Sequence, residues 1–492
     1  MVRFLCAFLV LIAALPGAVI RGTIFENRSG KPLSRVLLTL QPVAGTSGTA
    51  ASLHSDRFGG FSFQSLVPGT YVLKATRRGF LPLDYGQKLW NSSGQPIILT
   101  DDSPQFLNLR MLRFGGITDT VFDENDVGQV NHEVVAYRKT EPPVLVARTY
   151  CDDHGVYRIG GLEPGIYLVR TTGLEDEGRP YVPTYTKETL VMRDSRTVQV
   201  FPDEDVGGID IRPMVGQLLT LDVAIDPCPD PVPKKLTLAG ELGRRTVQTA
   251  CGFRFDSLIP GPYEVYAESE EVPGLLPVLG AYMELRLLKD SKVSLVMREV
   301  RPTVIGTSPD VKGGQVTLRR KDLAGVGPLL TLPPNTDRIM LTPSRWETIL
   351  QPPSGYYVSN FYPVNRRNPR PDSWNEFLIG AYSSAVRFAL TCGPAELHGL
   401  VKSSGDPVVG APVFLEGFDP MTRQRVTELR VVRTDGHGMY RFQGLAPGTY
   451  RVLSTFEFQS PDAETMEMVA APTLKVEAHS DQQYDLDLYG IR

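Results

Sequence analysis

Histidine is the residue on which hydrolytic metal chemistry would depend in this 492-residue chain, and there are six histidines. A zinc peptidase needs a His with a Glu three positions later and a distant third ligand, because the metal must keep one coordination position open. No such glutamate follows any of the six, which are His54, His132, His154, His398, His437 and His479. The chain also lacks a Gly-x-Ser-x-Gly motif and a phosphate-binding loop. We therefore predict no catalytic residue, no metal site and no cofactor.

Aromatic side chains form the second group that could do chemistry. A sugar stacks on exposed rings, and polar neighbours bind its hydroxyl groups. One candidate stretch surrounds Trp90, and another, rich in Tyr, Arg, Pro and Asn, covers residues 356–374. The candidate ligand-binding residues are Trp90, Tyr356, Tyr362 and Trp374. The competing interpretation is that residues 356–374 form a long loop folded over a sheet edge with its aromatic rings buried.

Cysteine usage indicates the redox compartment. Cys6 lies in an apolar N-terminal stretch, which leaves four cysteines in the rest of the chain. Cys228 and Cys251 would close a modest loop, so we predict that they form a disulfide in an oxidising compartment. The pairing of Cys151 and Cys392 cannot be deduced from the sequence. No Cys-x-x-Cys spacing occurs, which argues against a structural zinc site.

The elements that must position these residues repeat along the chain. An Asp- and Gly-containing turn with alternating aromatics is followed by Leu-x-Pro-Gly-x-Tyr, at 56–73, 153–169 and 435–452, and a copy without the Asp lies at 252–265. We place a degenerate copy at 351–358. The marker glycines are 96, 96, 94 and 93 residues apart, at Gly69, Gly165, Gly261, Gly355 and Gly448. This periodicity predicts five copies of one unit of about 95 residues.

Each unit has the pattern of short strands joined by tight turns. Apolar side chains alternate in Phe61-x-Phe63, as in a half-buried strand, and Pro68-Gly69 is a turn dipeptide. Asp56 can close the preceding turn through its carboxylate, and the repeated Tyr can bond backbone through its hydroxyl. We therefore predict an all-β chain, a tandem array of five immunoglobulin-like or prealbumin-like β-sandwiches. The expected boundaries are a signal segment at 1–18 and sandwiches at 19–113, 114–212, 213–298, 299–392 and 393–492.

Two histidines occupy corresponding turns of this repeat. His154 lies beside Asp153, and His437 lies close to Asp435, so a shared ligand contact is one interpretation. Arg57 stands in the same region of the first copy, which shows that the unit does not require histidine there. A Ca²⁺ site needs six to eight oxygen ligands, and one carboxylate per turn is far fewer. We favour solvent-exposed turn residues.

Composition excludes several classes of protein. The chain has 51 basic and 55 acidic residues and a net charge of −4, which removes the electrostatic case for nucleic acid or an anionic membrane surface. Its charged fraction of 22% is too high for a membrane bundle. Glycine (46) and proline (40) are in excess, as expected for many short strands.

The amino terminus indicates export. Arg3 precedes an apolar run from Phe4 to Leu15, and Pro16-Gly17-Ala18 supplies a helix break and a small residue for cleavage. Twelve apolar residues suit a secretory signal and are too few to span a bilayer. We predict a periplasmic, cell-surface or extracellular protein with no membrane span in the mature chain. The alternatives are an uncleaved anchor or a first buried strand.

The order of these motifs resembles the carboxypeptidase regulatory-like domain and its prealbumin-like or starch-binding-like relatives. The first unit carries the resemblance through Gly22, Gly30-Lys31-Pro32-Leu33, 36–40, 56–63 and 66–73, and the fifth through Gly399, 405–413 and 435–452. The second unit lacks the Gly-x-Pro step, the third has lost the Asp, and the fourth retains the least. The resemblance implies a β-sandwich fold and usually no catalysis, although some relatives bind carbohydrate.

Two hypotheses follow for the function. The first is a non-catalytic exported scaffold that serves binding, adhesion or spacing, with a protein or polysaccharide at the cell surface as its partner. The second is a carbohydrate-binding protein that uses the aromatic residues of the first or fourth unit.

Overall fold

The computed structural model describes residues 18–490 except 88–89, 93, 101–103, 141–142, 177, 229–233, 270–277, 310, 312, 333–337, 364–374, 381–384, 427–428 and 459. Residues 1–17 of the predicted signal segment and Trp374 therefore lie outside the described residues. The chain separates into two compact units, Met1–Gly115 with Phe201–Glu204, and Gly116–Val200 with Asp205–Arg492. The regular structure that is described consists almost entirely of strands, as predicted.

The first unit contains one β-sandwich, sandwich 1. Its strands are β1 (Ala18–Glu26), β2 (Leu37–Pro42), β3 (Ala51–His54), β4 (Gly60–Leu66), β5 (Gly69–Thr76), β6 (Leu83–Asp84), β7 (Ile97–Leu99) and β8 (Gln105–Met111). One sheet has the order β4-β1-β8, and the other has the order β3-β2-β5-β6 with β7 also paired to β5. The predicted alternation is confirmed in β4, where Phe61 and Phe63 are buried and Ser62 is exposed.

The second unit begins with sandwich 2. Its strands are β9 (Gly115–Thr120), β10 (Glu133–Arg138), β11 (Val144–Tyr150), β12 (Val156–Leu162), β13 (Gly165–Thr171), β14 (Leu174–Asp176), β15 (Arg179–Tyr181), β16 (Thr197–Val200) and β17 (Asp205–Val206). The two sheets have the orders β11-β10-β13-β16 and β12-β9-β17, and β14-β15 is a hairpin. Every residue of β13 is buried, so both faces of this strand are covered.

Sandwich 3 is built from β18 (Leu219–Asp226), β19 (Lys234–Gly240), β20 (Gly243–Thr249), β21 (Gly252–Leu258), β22 (Gly261–Ser269), β23 (Leu279–Leu287), β24 (Ser291–Val296) and β25 (Arg298–Glu299). Its sheets have the orders β21-β18-β24 and β20-β19-β22-β23-β25.

Sandwich 4 is built from β26 (Pro302–Ser308), β27 (Gln315–Asp322), β28 (Gly325–Val326), β29 (Leu330–Leu332), β30 (Arg338–Met340), β31 (Ser344–Gln351), β32 (Tyr356–Pro363), β33 (Asn375–Ile379) and β34 (Ala385–Cys392). Its sheets have the orders β30-β26-β34-β32 and β28-β27-β31-β33, with β29 also paired to β27.

Sandwich 5 contains β35 (Ala395–Ser403), β36 (Asp406–Pro407), β37 (Pro412–Asp419), β38 (Gln424–Arg425), β39 (Arg430–Arg433), β40 (Met439–Leu445), β41 (Gly448–Ser454), α1 (Ala463–Met468), β42 (Thr473–Val476), β43 (Asp481–Gln483) and β44 (Leu486–Asp487). One sheet pairs β35 with β36, β40, β43 and β44, and the other has the order β38-β37-β41-β42 with β39 beside β37.

The first strand of each sandwich runs parallel to its closing strand, for example β1 to β8 and β18 to β24. This explains a glycine that recurs in the first strand. A Cβ atom at Gly22 would overlap the carbonyl of Leu107, and one at Gly399 would overlap the carbonyl of Tyr484. The finer division of the chain into five domains, with the predicted boundaries, stays a prediction.

The predicted position of the fourth copy is wrong. Gly355 precedes β32, and β32 belongs to the sheet that contains β26 and β34. In the other sandwiches, the strand after the Pro-Gly turn belongs to the opposite sheet. The structural equivalent of β5, β13, β22 and β41 is β31, which begins at Ser344 after Leu341-Thr342-Pro343. Ser344 thus replaces the marker glycine and Trp346 replaces the tyrosine, so a search for Gly and Tyr missed this copy.

Candidate functional site

The repeated tyrosines use their hydroxyl groups inside the fold. In sandwich 1 the hydroxyl of Tyr71 donates to the carbonyl of Val67 at 2.8 Å. The same bond to the residue four positions earlier is made by the tyrosines of three other sandwiches, Tyr167, Tyr263 and Tyr450, at 2.6, 2.9 and 2.8 Å. The prediction that this tyrosine bonds backbone is confirmed, and these hydroxyls are committed to fixing a turn rather than a ligand.

The repeated aspartates are also committed to backbone. Asp56 Oδ1 accepts from the amides of Phe58 and Gly60 at 2.8 and 2.7 Å, which confirms the predicted turn. In sandwich 2 the equivalent residue is Asp152, whose Oδ1 accepts two amides at 2.9 and 2.8 Å, and not the expected Asp153. Those backbone hydrogen bonds lower the pKa of Asp152. Two consecutive aspartates made the register ambiguous in the sequence.

The histidines of these turns are exposed. His154 Nδ1 lies 2.8 Å from Asp153 Oδ1, and both side chains are mostly in solvent. Together with Asp152 they form the cluster of the described residues whose ligand atoms are close enough for a metal. Because Asp152 Oδ1 already accepts two amides, the cluster offers few oxygens for a cation.

Tyr356 and Tyr362 of sandwich 4 do not form one platform in the described part of that sandwich. A bulge between Val358 and Asn360 shifts the register of β32 against β34. Tyr356 packs against the core of sandwich 4, whereas Tyr362 is 54% exposed and its hydroxyl accepts from Asn360. Trp90 is half-buried in sandwich 1. Carbohydrate binding through these residues stays a prediction.

The four cysteines of the described residues are distributed over three sandwiches. The structure joins Cys228 and Cys251 in a disulfide with their Cα atoms 5.1 Å apart. Cys151 is a buried free thiol, and burial raises its pKa to about 11. Cys392 is a free thiol at the exposed end of β34.

A pair of carboxylates that the sequence did not reveal lies in sandwich 2. Asp119 lies in β9, one residue before its end, and Asp210 follows β17, the parallel neighbour of β9. The hydrogen bond that the protonated carboxyl of Asp210 donates to Asp119, together with some burial, raises the pKa of Asp210 to about 6. Asp119 Oδ2 also accepts the amide of Ile209, so the pair holds the segment after β17 in place. The two residues are 91 positions apart, and no local motif connects them.

A cluster of buried and part-buried charged side chains lies between sandwiches 3 and 4 in the described part of the chain, and we call it the ionic joint. It contains Glu264, Glu268 and Glu284 of sandwich 3 and Arg319, Arg320, Lys321, Arg345, Glu347 and Glu376 of sandwich 4. Arg345 Nη2 lies 2.5 Å from Glu284 Oε1 and 3.4 Å from Glu264 Oε1. Arg320 Nη2 lies 2.8 Å from Glu268 Oε2. These contacts link the outer faces of the two neighbouring sheets.

Two cations pair with the buried Glu347 inside the ionic joint. Lys321 Nζ lies 2.5 Å from Glu347 Oε1, and Arg319 Nε lies 2.8 Å from Glu347 Oε2. Burial raises the pKa of Glu347, although both cations oppose this change. Burial also disfavours the charge of Arg345, yet the carboxylate of Glu264 raises the pKa of its guanidinium.

A second set of contacts completes the joint. Asp322 of β27 is buried and accepts from Arg244 at 2.6 Å and from the hydroxyl of Tyr266 at 3.0 Å. Ala239, Tyr266 and Ala324 form a small apolar cluster beside it. The sequence did not signal this surface, because charged residues such as Arg319, Arg320 and Lys321 are equally typical of a solvated strand.

Comparison with known proteins identifies the amino-terminal sandwich. Residues 19–110 match the model of the carboxypeptidase regulatory-like domain. A search of the curated proteins found no match.

Among solved structures, the chain is similar to GBS52, the minor pilin of Streptococcus agalactiae, at 14% identity over 41% of this chain and 97% of that chain, with a TM-score of 0.24. It is similar to BcpA, the major pilin subunit of Bacillus cereus, at 8% identity over 58% of this chain and 99% of that chain, with a TM-score of 0.18. It is also similar to the pilus adhesin SpaC of Lactobacillus rhamnosus GG, at 14% identity over 77% of this chain and 57% of that chain, with a TM-score of 0.16. Likenesses this low carry no argument about function.

Proposed function

Since residues 19–110 form a carboxypeptidase regulatory-like domain, we propose that the protein is a non-catalytic, exported scaffold of five β-sandwiches. It presents or spaces a surface that binds a protein or polysaccharide at the cell surface. The scaffold role accounts for the use of the polar side chains: the repeated Tyr and Asp residues bind their own backbone, and the charged clusters connect strands and sandwiches.

The ionic joint is the observation that carries this proposal. Buried charges are costly, and they are retained where their partners and hydrogen bonds are held in good geometry. Glu347 is fully buried between Arg319 and Lys321, and Arg345 reaches across to Glu264 of the neighbouring sandwich. A joint of this kind fixes the orientation of two sandwiches. A spacer needs such a fixed orientation, and an enzyme would instead point some of these groups into a cleft.

Export is part of the proposal. The apolar run before Pro16 has the length of a secretory signal, and the Cys228–Cys251 disulfide needs an oxidising compartment. No helix of the described residues has the length and apolar character needed to cross a bilayer.

Carbohydrate binding is the second candidate, and the exposure of Tyr362 is the observation that favours it. This ring projects from β32 beside Asn360, whose amide donates to its hydroxyl at 3.0 Å. Such an aromatic with a polar neighbour can stack on a sugar. Glycan-array screening of the full chain separates the two functions. Binding that is lost on Tyr362→Ala or Trp90→Ala supports the sugar site, and no binding at millimolar sugar excludes it.

The scaffold function is tested by the rigidity of the joint. Spin labels at Lys292→Cys of sandwich 3 and Ser359→Cys of sandwich 4, in a Cys392→Ser background, report the distance between the two sandwiches; both labelled positions are exposed. We expect one narrow distance distribution that Arg345→Ala broadens and that the exposed Arg254→Ala leaves unchanged. A broad distribution in the unmodified joint would contradict a rigid scaffold.

A further inference from the structure

The short helix α1 belongs to sandwich 5. It lies in the connection between β41 and β42, and it is the single α-helix of the described residues. Asp462 caps its first turn by accepting the amide of Thr465 at 2.8 Å. Thr465 and Met466 are buried, so the helix is docked rather than free in solvent.

The start of α1 contacts sandwich 2. Lys139, just after β10, places its Nζ 2.9 Å from Asp462 Oδ2 and 2.6 Å from Glu464 Oε2. The hydroxyl of Thr197 donates to Glu464 Oε1 at 3.4 Å. Lys139 and Glu464 are 325 residues apart in sequence, with sandwiches 3 and 4 between them.

Burial of the Pro-Gly turn shows that this contact covers a surface. Pro164 and Gly165 of sandwich 2 are buried, and Ile166 is 8% exposed. The same turn is open in sandwich 5, where Pro447 and Gly448 are exposed. The turn of sandwich 2 lines a cavity of about 40 Å³ with Phe458, Pro461 and Asp462. A space of this size holds no more than a water or two.

A buried ion cluster in sandwich 5 fixes the backbone that carries Asp462. Glu416 is inaccessible to solvent and binds the guanidinium groups of Arg425 and Arg451. Arg425 Nη2 also donates to the carbonyl of Pro461 at 2.7 Å, and Arg451 Nη2 donates to the carbonyl of Ala463 at 3.2 Å. The backbone on both sides of Asp462 is therefore fixed from inside sandwich 5. A side chain whose backbone is fixed in this way keeps its position, which is typical of a specific contact and not of an incidental pair of surface charges.

We propose that α1 is a latch that fastens sandwich 5 to sandwich 2 through Lys139, so that the chain from β10 to β42 closes on itself. The partner of Lys139 is thus the acidic start of α1, Asp462 and Glu464, in the same chain. Opening the latch exposes the Pro-Gly turn of sandwich 2 together with Phe458. The inference goes beyond the scaffold role, because a scaffold works whether or not its second and fifth sandwiches touch.

Zero-length crosslinking of the full chain with a carbodiimide tests the latch, because this reagent joins an amine to a carboxylate only where they are in contact. We expect a peptide pair linking Lys139 to Asp462 or Glu464 by mass spectrometry. Its yield should fall several-fold at 1 M salt, where screening extends to about 3 Å. The Lys402–Asp485 pair within sandwich 5, at 2.8 Å, shows that the reagent has worked.

Charge reversal makes the test specific. Lys139→Glu removes the amine and makes the contact repulsive, so no crosslink can form at this position. Adding Glu464→Lys should restore a crosslink between the same two positions. Glu464 is the better site for the swap because Asp462 caps the helix. Lys475→Glu, which removes a pair local to sandwich 5, is the matched control and should change nothing.

Two outcomes overturn the latch. One is the absence of the Lys139 crosslink while Lys402–Asp485 forms. The other is a crosslink that joins isotopically labelled and unlabelled chains after mixing, because that result assigns the contact to two molecules. Neither outcome bears on the scaffold proposal, which the rigidity of the ionic joint tests separately.

Discussion

The indole of Trp346 donates a hydrogen bond to the carbonyl of Thr342 at 3.0 Å, four residues earlier in the chain. This is the bond that Tyr71, Tyr167, Tyr263 and Tyr450 make in the other sandwiches. Tryptophan and tyrosine both combine a large apolar body with one polar group, so either can fill this position. The bond, and not the residue type, is what these five positions share.

Removal of one such bond should loosen one sandwich. Tyr167→Phe deletes the hydroxyl that donates to Glu163 and leaves the ring in the core, so we expect a loss of about 1 kcal/mol in the stability of sandwich 2. Hydrogen exchange of β13 peptides in the full chain measures this. Tyr362→Phe is the control, because its ring is 54% exposed. Equal protection in Tyr167→Phe and the unmodified chain would show that the bond contributes nothing.

Asp152 and Asp153 should differ sharply although they are neighbours. Asp152 accepts the amides of His154 and Val156, whereas Asp153 is exposed and contacts only the ring of His154 among the described residues. Asp152→Ala should increase hydrogen exchange in the β11–β12 turn, and Asp153→Ala should not.

The same turn should depend on pH. Backbone hydrogen bonds lower the pKa of Asp152 below its ordinary value of 3.8, so its contribution is present above that value and is lost as the pH falls through the folded pKa. Exchange in this turn, corrected for intrinsic rates, should rise in acid for the unmodified chain. If Asp153→Ala increases hydrogen exchange in this turn as much as Asp152→Ala does, the assignment of the turn to Asp152 is wrong.

Asp210 should make sandwich 2 less stable at neutral pH. Its pKa of about 6 lies above the ordinary value of 3.8, so the stability that its proton contributes is complete below about pH 4 and is lost as the pH rises through 6. Asp210→Asn keeps a donor for Asp119 and carries no charge. We expect this variant to unfold at a higher temperature than the unmodified chain at pH 7.5 and at the same temperature near pH 4.

The size of that effect should be small. Asp210 is exposed, and solvent screens the repulsion, so the gain should stay below about 1 kcal/mol. Calorimetry of both chains at the two pH values measures it. Parallel pH dependences in the two chains would show that the carboxylates do not share a proton.

Arg345 should be the most sensitive residue of the ionic joint. Arg345→Ala leaves Glu264 and Glu376 buried without this partner, and such a loss costs about 3–5 kcal/mol. Arg254→Ala removes an exposed arginine and should cost almost nothing. Denaturant unfolding followed by hydrogen exchange in β22 and β31 locates the change. Similar losses for the two variants would show that burial does not set the strength of the joint.

Much of the fold could be predicted because its signals are local. The alternation of Phe61 and Phe63, the Pro68-Gly69 turn and the carboxylate of Asp56 act within a few residues, and all are visible in the sequence. The prediction failed where a different residue performs the same task. Ser344 and Trp346 replaced Gly and Tyr, and Asp152 stood beside an equally plausible Asp153.

The sequence by itself determined the strands and the turns between them, since these depend on side-chain periodicity and on backbone preferences of single residues. Only the tertiary structure decided which charged residues meet. Lys139 is 325 residues from Glu464, and Arg345 reaches Glu264 of a neighbouring sandwich across a gap of 81 positions. An exposed strand face and a face that becomes buried against another sandwich carry the same kinds of charged residues. The difference between them is created when the sandwiches pack.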